Sequence, residues 1–204
     1  MAQAAHYVLG HSDGELERLK LQSTVFGVIT RRMIRECGIR TGMRVLDIGC
    51  GFGDVSMLLA DAVGPAGKVV AVDREQRAVD AARNRTEAAG YKQIEIVVAT
   101  DEALPDDDPF DAAVGRYVLI HQPDPAGTVR RAAEAVRRGG IVAFQEPAMG
   151  IPNFIFPMVE IHKAVFAYPS WPALIKAFVS SPDVAGRMVR VFEDAGLPAP
   201  QLFR

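Results

Sequence analysis

Cysteine is nearly absent: Cys37 and Cys50 are the only two in 204 residues. Two thiols are too few for a disulfide framework or a cysteine-built zinc site, and they suit a reducing, cytoplasmic setting. Long apolar runs are missing too; none reaches the ~18 residues that a membrane span requires. Met1 to Leu9 lacks the charged start and continuous apolar stretch of a signal peptide. Charge is balanced: the net charge is −2 and no long basic run occurs, which offers no field to a polyanion and points away from nucleic acid. The short cluster Arg31, Arg32 and Arg35 reads as a solvated helix face. Repeats, low-complexity segments and metal-ligand patterns are also missing. What remains is a chain with 49% hydrophobic and 24% charged residues, the balance of a single α/β domain able to bury a core.

The chain is organised around Val45-Leu46-Asp47-Ile48-Gly49-Cys50-Gly51-Phe52-Gly53-Asp54. Val45, Leu46 and Ile48 form the apolar run of a central parallel strand. Gly49, Gly51 and Gly53 let the backbone turn sharply and come close to a ligand. A helix from Asp54 would aim its first N–H groups at that ligand. Before this stretch, Ser12 and Glu15 have capping-box spacing, and Leu16, Leu19, Ser23, Phe26, Thr30 and Met33 form a helical stripe that stops at Gly38. After it, strands are predicted at Lys68–Val72, Ile94–Ala99, Phe110–Gly115 and Ile141–Gln145. Helices are predicted at Glu75–Ala89 and Asp124–Arg137, with Arg138-Gly139-Gly140 as a turn. Strands alternating with helices imply a doubly wound, mostly parallel sheet whose ligand lies beyond the strand C-terminal ends. Gly49–Gly53, Asp73, Asp101, Arg116 and Glu146 all fall at such ends.

Residues 147–181 change character, with Phe154, Phe156, Phe166, Tyr168, Trp171 and Phe178 interrupted by prolines. They read as a helical insertion after the fifth strand, part core and part apolar lid over a small-molecule pocket. Ser181, with Pro182 next, is placed to cap a last helix. The organisation is then one domain over 1–204: an N-terminal helical cover (1–40), a binding core (41–146), the insertion (147–181), and a C-terminal helix with the start of a strand (182–204).

The charges around the glycines select the ligand. A dinucleotide turn is G-x-G-x-x-G with neutral surroundings. Here the spacing is G-x-G-x-G, flanked by Asp47 and Asp54, which would oppose a pyrophosphate and suit a cationic group. Asp73, about twenty residues past the glycines, is placed to accept ribose hydroxyls. Asp101 is placed to accept an exocyclic amine. An adenosine with a cationic tail and no phosphate describes S-adenosylmethionine.

These residues, followed by Val69-Val70-Ala71-Val72-Asp73, Phe110-Asp111 and Val118-Leu119-Ile120-His121-Gln122-Pro123-Asp124-Pro125, resemble class I S-adenosylmethionine-dependent methyltransferases, particularly the small-molecule group that includes quinone-biosynthesis enzymes. The resemblance covers residues 41–146 and implies a Rossmann-like fold. It implies that Gly49, Cys50, Gly51 and Gly53 line the methionine part of the cofactor with Asp47 near its ammonium. It sets Asp73 on the ribose, Arg74 beside the adenine, Asp101 with adjacent Glu102 at the adenine amine, and the Arg116 backbone near the reacting methyl. Tyr7, Arg18 and Gln22 would close over the methionine carboxylate. S-adenosylhomocysteine would be the product. The family's sheet ends with two further strands, and the chain stops about where the first would begin; a fragment, a shortened member and a sheet completed by a partner, such as a homodimer, stay open. The signature used for base amines after the fourth strand is replaced by Gly115-Arg116-Tyr117-Val118.

A base is needed only if the acceptor carries a proton at neutral pH. His121 has the best address for it, as base or acceptor-orienting group, beside its reading as a loop histidine bonded to backbone. Glu146 reads as a residue that holds a loop. The acceptor atom stays open among oxygen, carbon and nitrogen. Two rivals remain: a NAD-dependent oxidoreductase on a similar sheet, and a non-catalytic cofactor-binding scaffold.

Overall fold

The computed structural model describes residues 26–105, 108–148 and 179–202. Tyr7, Arg18, Gln22, the Ser12–Glu15 box and nearly all of the 147–181 insertion lie outside them. Five strands form the sheet: β1 Arg44–Ile48, β2 Lys68–Asp73, β3 Ile94–Val98, β4 Phe110–Arg116 and β5 Val136–Gln145. Their order is β3-β2-β1-β4-β5, and every neighbouring pair is parallel. The direction of winding reverses between β1 and β4, which opens a crevice at their C-terminal ends.

The apolar runs explain the layering. Val45, Val69, Ala112 and Val114 face α2 (Asp54–Val63), meeting Val55, Leu59 and Val63. Helix α1, described over 26–36, adds Met33 and Ile34 to that layer. Ala71 and Ile96 meet Val79 and Ala82 of α3 (Gln76–Ala88). Leu46, Ile48, Val70, Val72 and Ala113 point to the opposite face, where α4 (Pro125–Glu134) adds Ala132. Strands buried on both faces must read as continuous apolar runs, as β2 does. Helix α4 starts as its sequence dictates: Asp124 accepts from the Gly127 N–H at 3.0 Å, and Pro125 takes the first position. Among the described residues no helix is long and apolar enough to cross a membrane.

Several elements differ from their sequence prediction. Helix α4 stops at Glu134, three residues before Arg137, and Val136 already pairs with Phe110. The next pair is Ala112 with Ile141, so the expected turn at 138–140 is a bulge inside β5. Arg137 is held to the sheet by its 2.8 Å bond to Asp111, and Gly139 supplies the positive φ of 74° that the bulge needs. Ser181 does not cap a helix. Its hydroxyl donates to the Gln122 carbonyl at 2.8 Å and its N–H to the Ile120 carbonyl at 2.9 Å, tying it to the loop after β4. A 3-10 turn, Val184–Arg187, then leads into α5 (Met188–Asp194), which packs on Leu119, Ile120 and Val129. Residues 197–202 form no strand, and Phe203 lies outside the described residues.

Candidate functional site

The glycine turn after β1 is left-handed at all three glycines, with φ of 67° at Gly49, 52° at Gly51 and 82° at Gly53. The three serve different ends. A Cβ on Gly49 would sit 2.7 Å from Cγ2 of Val118, so this glycine lets the loop after β4 pack onto the turn. A Cβ on Gly51 would meet nothing within 4 Å; its open side is room for a ligand. Gly53 forms the left-handed N-cap of α2. Gly49→Ala is therefore expected to lower the melting temperature more than Gly51→Ala, whose strain is about 1–2 kcal/mol. Cys50 turns inward: its side chain is buried with Ala71, Val79 and Ala82, and burial holds its thiol well above the ordinary range. It can line a ligand only through backbone.

Asp73, at the end of β2, reaches across to this turn. Its Oδ2 accepts from the Gly51 N–H at 2.9 Å and its Oδ1 from the Glu75 N–H at 3.0 Å. Each oxygen keeps a lone pair for a ligand. On the other side of the turn, Arg85 of α3 donates to the Phe52 carbonyl at 2.6 Å and to Asp54 at 2.8 Å. This changes the reading of Asp54. Its charge is matched by Arg85, so the electrostatic argument against a pyrophosphate rests on Asp47 alone.

Asp47 is 1% exposed. Ser56 of α2 donates to its Oδ2 at 2.6 Å, while Oδ1 is buried without a hydrogen-bond partner. Burial pushes its carboxyl up to about 7, although Ser56 and the nearby Arg116 favour the ionised form. A buried carboxylate oxygen lacking a donor is complementary to a cationic N–H group.

Asp101 follows β3 and is bound on one side. Its Oδ2 accepts from Thr128 Oγ1 at 2.6 Å and from the Arg131 guanidinium, both on α4. Glu102 and Arg74 are exposed, with Arg74 Nε 3.8 Å from Glu75. At the end of β4, Arg116 donates to Thr30 Oγ1 at 3.4 Å, and Thr30 donates to Gln145 Oε1 at 2.8 Å. Through these bonds α1 is fixed across the ends of β4 and β5. Tyr117 follows with a φ of 61°, the one non-glycine residue with a positive φ among those described, and its ring stacks edge-on against Phe26 at 5.7 Å.

Glu146 directly follows β5 and holds the loop after β4. Oε1 accepts from the N–H groups of Val118 (3.0 Å) and Leu119 (2.9 Å), and Oε2 from Ile120 (3.2 Å). These are the unpaired donors of the 3-10 turn Leu119–His121. Burial raises its carboxyl to about 7 despite the three donors. The loop-holding role read from sequence is what the structure displays. His121 closes that turn and is half-buried.

The open face of Gly51, the unpartnered Asp47 oxygen and the spare acceptor capacity of Asp73 suit the adenosine and ammonium of S-adenosylmethionine. Sequence reasoning missed Arg85, Arg131 and Thr30. Their partners lie on different βα units or on α1, so no local pattern announces them.

Fold and site together define a Rossmann-like α/β protein with a left-handed glycine turn at the C-terminal ends of its parallel strands. A family model described as a methyltransferase domain matches residues 39–177, and the chain belongs to that family, the class I S-adenosylmethionine-dependent methyltransferases. It is 32% identical over 181 residues to the aklanonic acid methyltransferase DauC of Streptomyces sp. (strain C5), covering 84% of this chain and 82% of that one. It is 26% identical over 138 residues to a demethylmenaquinone methyltransferase of Staphylococcus aureus, covering 67% of this chain. An uncharacterised transposon Tn4556 protein of Streptomyces fradiae is 30% identical over 82% of this chain. The chain spans about half the length of the latter two, 54% and 47% respectively. A putative methyltransferase structure from Bacillus halodurans shares the fold, with a TM-score of 0.62 at 23% identity over 82% of this chain and 68% of that one.

Proposed function

We propose that the protein transfers the methyl group of S-adenosylmethionine to a small aromatic or lipophilic acceptor. The joint between Asp73 and Gly51 carries this reading: one carboxylate both shapes the glycine turn and keeps acceptors for a ribose beside it. The resemblance to aklanonic acid and demethylmenaquinone methyltransferases supports a small-molecule acceptor. The bound cofactor supplies an electrophilic methyl on a sulfonium.

The protein's own task is alignment and exclusion of water. Asp47 holds the ammonium, Asp73 the ribose and Asp101 the adenine amine through the oxygen not taken by Arg131, with Arg74 and Glu102 at the rim. The Arg116 backbone borders the reacting methyl. Tyr7, Arg18 and Gln22 are assigned to the methionine end on resemblance alone. His121, on the turn that Glu146 holds, receives a proton from an acceptor hydroxyl or orients it. A cytoplasmic location fits two free thiols; no nucleic-acid partner is assigned, and a homodimer is compatible with this reading.

Calorimetry with S-adenosylhomocysteine and NAD in parallel tests the proposal. Binding of the homocysteine nucleoside is expected; binding of NAD alone would overturn it, and tight binding with no turnover on any acceptor of a broad panel would favour a scaffold. The affinity should also depend on pH. Asp47 titrates at about 7 and must be ionised to hold an ammonium. Affinity for S-adenosylhomocysteine is therefore expected to rise up to about tenfold from pH 6 to pH 8, with proton release seen as a dependence of the heat on buffer ionisation. A flat profile would remove Asp47 from the ammonium site.

A further inference from the structure

Two opposite charges stand side by side at the ends of β1 and β4 without being joined. Asp47 is paired across the sheet with Val114, and Arg116 lies two residues further along β4. Side chains two apart share a face, so Asp47 and Arg116 are diagonal neighbours on the same side of the sheet. Asp47 Oδ1 is buried and has no donor. Arg116 is half-buried, and among the described residues no carboxylate lies within ion-pair distance of it; its bonds are the long one to Thr30 and a distant stack 5.9 Å from the Tyr117 ring. The other arginines bordering the site are committed, Arg85 to Asp54, Arg131 to Asp101 and, at the rim, Arg74 to Glu75. A partly desolvated guanidinium with most of its five donors unused is complementary to a carboxylate.

We propose that Arg116 is a carboxylate-binding group of this site, working beside Asp47 so that the pair accepts an anion and a cation at once. This rests on the methyltransferase reading, which assigns Arg116 only its backbone. The carboxylate has two sources, the amino-acid end of S-adenosylmethionine and an acid group on the acceptor. The juxtaposition with Asp47 fits an amino-acid zwitterion.

The test compares wild type, Arg116→Met and Arg116→Lys by calorimetry against three probes. These are S-adenosylhomocysteine, 5′-methylthioadenosine (the same nucleoside without the amino acid) and benzoate, the last titrated into protein with and without S-adenosylhomocysteine. Melting temperatures check that the variants are folded. Arg116→Met is expected to bind S-adenosylhomocysteine at least about tenfold more weakly with 5′-methylthioadenosine unchanged, and Arg116→Lys to recover part of the loss. If that affinity holds but benzoate binding is lost, Arg116 binds a carboxylate on the acceptor side. Equal losses for both nucleosides, or no loss for any probe, would overturn the assignment. Failure of wild type to bind either nucleoside would instead overturn the methyltransferase reading, with the benzoate arm still reporting on Arg116.

Discussion

Replacing Asp73 with alanine is expected to weaken S-adenosylhomocysteine binding by ~1.5–3 kcal/mol, roughly tenfold to more than a hundredfold. Two losses combine. The ligand's ribose hydroxyls lose a charged acceptor, and the Gly51 and Glu75 N–H groups lose theirs. Asp73→Asn separates these contributions in part. Its carbonyl oxygen still accepts from one N–H, while its amide nitrogen offers donors where an acceptor is needed. Calorimetry should place it between wild type and Asp73→Ala, with melting curves showing how much of the effect belongs to the turn. Unchanged affinity in Asp73→Ala would remove the ribose from this carboxylate.

Glu146→Leu is expected to cost about 3 kcal/mol of stability in urea unfolding, because it strands three backbone donors on the buried residues Val118, Leu119 and Ile120. Methyl transfer should fall further than S-adenosylhomocysteine affinity, since the damage lies at the Leu119–His121 turn rather than at the glycines. Glu146→Gln keeps Oε1 for Val118 and Leu119 and loses only the Ile120 bond. It also removes a titration. The wild-type carboxyl sits at about 7, above its unfolded value of about 4.3. Between these values the folded state binds more protons than the unfolded state, so this group's contribution makes stability fall as pH rises through that window. The glutamine variant should flatten that slope, as followed by melting temperature from pH 4.5 to 7.5. An unchanged slope would mean that Glu146 ionises as readily as in the unfolded chain.

Much of the core was legible because burial on both faces forces a simple code. The runs Leu46, Ile48 and Val69–Val72 could only be central strands, and α2 begins and ends where Gly53 and Gly64 set it. Asp73 was legible for the same reason: a polar residue closing an apolar strand has few places to be. Asp54 was misread because its partner Arg85 comes 31 residues later, on the next βα unit. The β5 bulge was misread because Arg138-Gly139-Gly140 has turn composition, and only the pull of Asp111 on Arg137 distinguishes a bulge from a turn. Ser181 shows the same ambiguity, since its hydroxyl suits a helix N–H and a distant carbonyl equally well.

The Arg85 clamp bears on how fast a ligand is taken up. By gripping the Phe52 carbonyl and Asp54 together, Arg85 of α3 braces the loop of the preceding unit in the folded protein. The conformational freedom of three glycines is thus lost before any nucleoside arrives, and docking on the turn need not wait for the backbone to order itself. On the proposed function, encounter and capture at this turn are expected to be one second-order event, whose observed rate in stopped-flow mixing climbs linearly with nucleoside concentration instead of reaching a plateau.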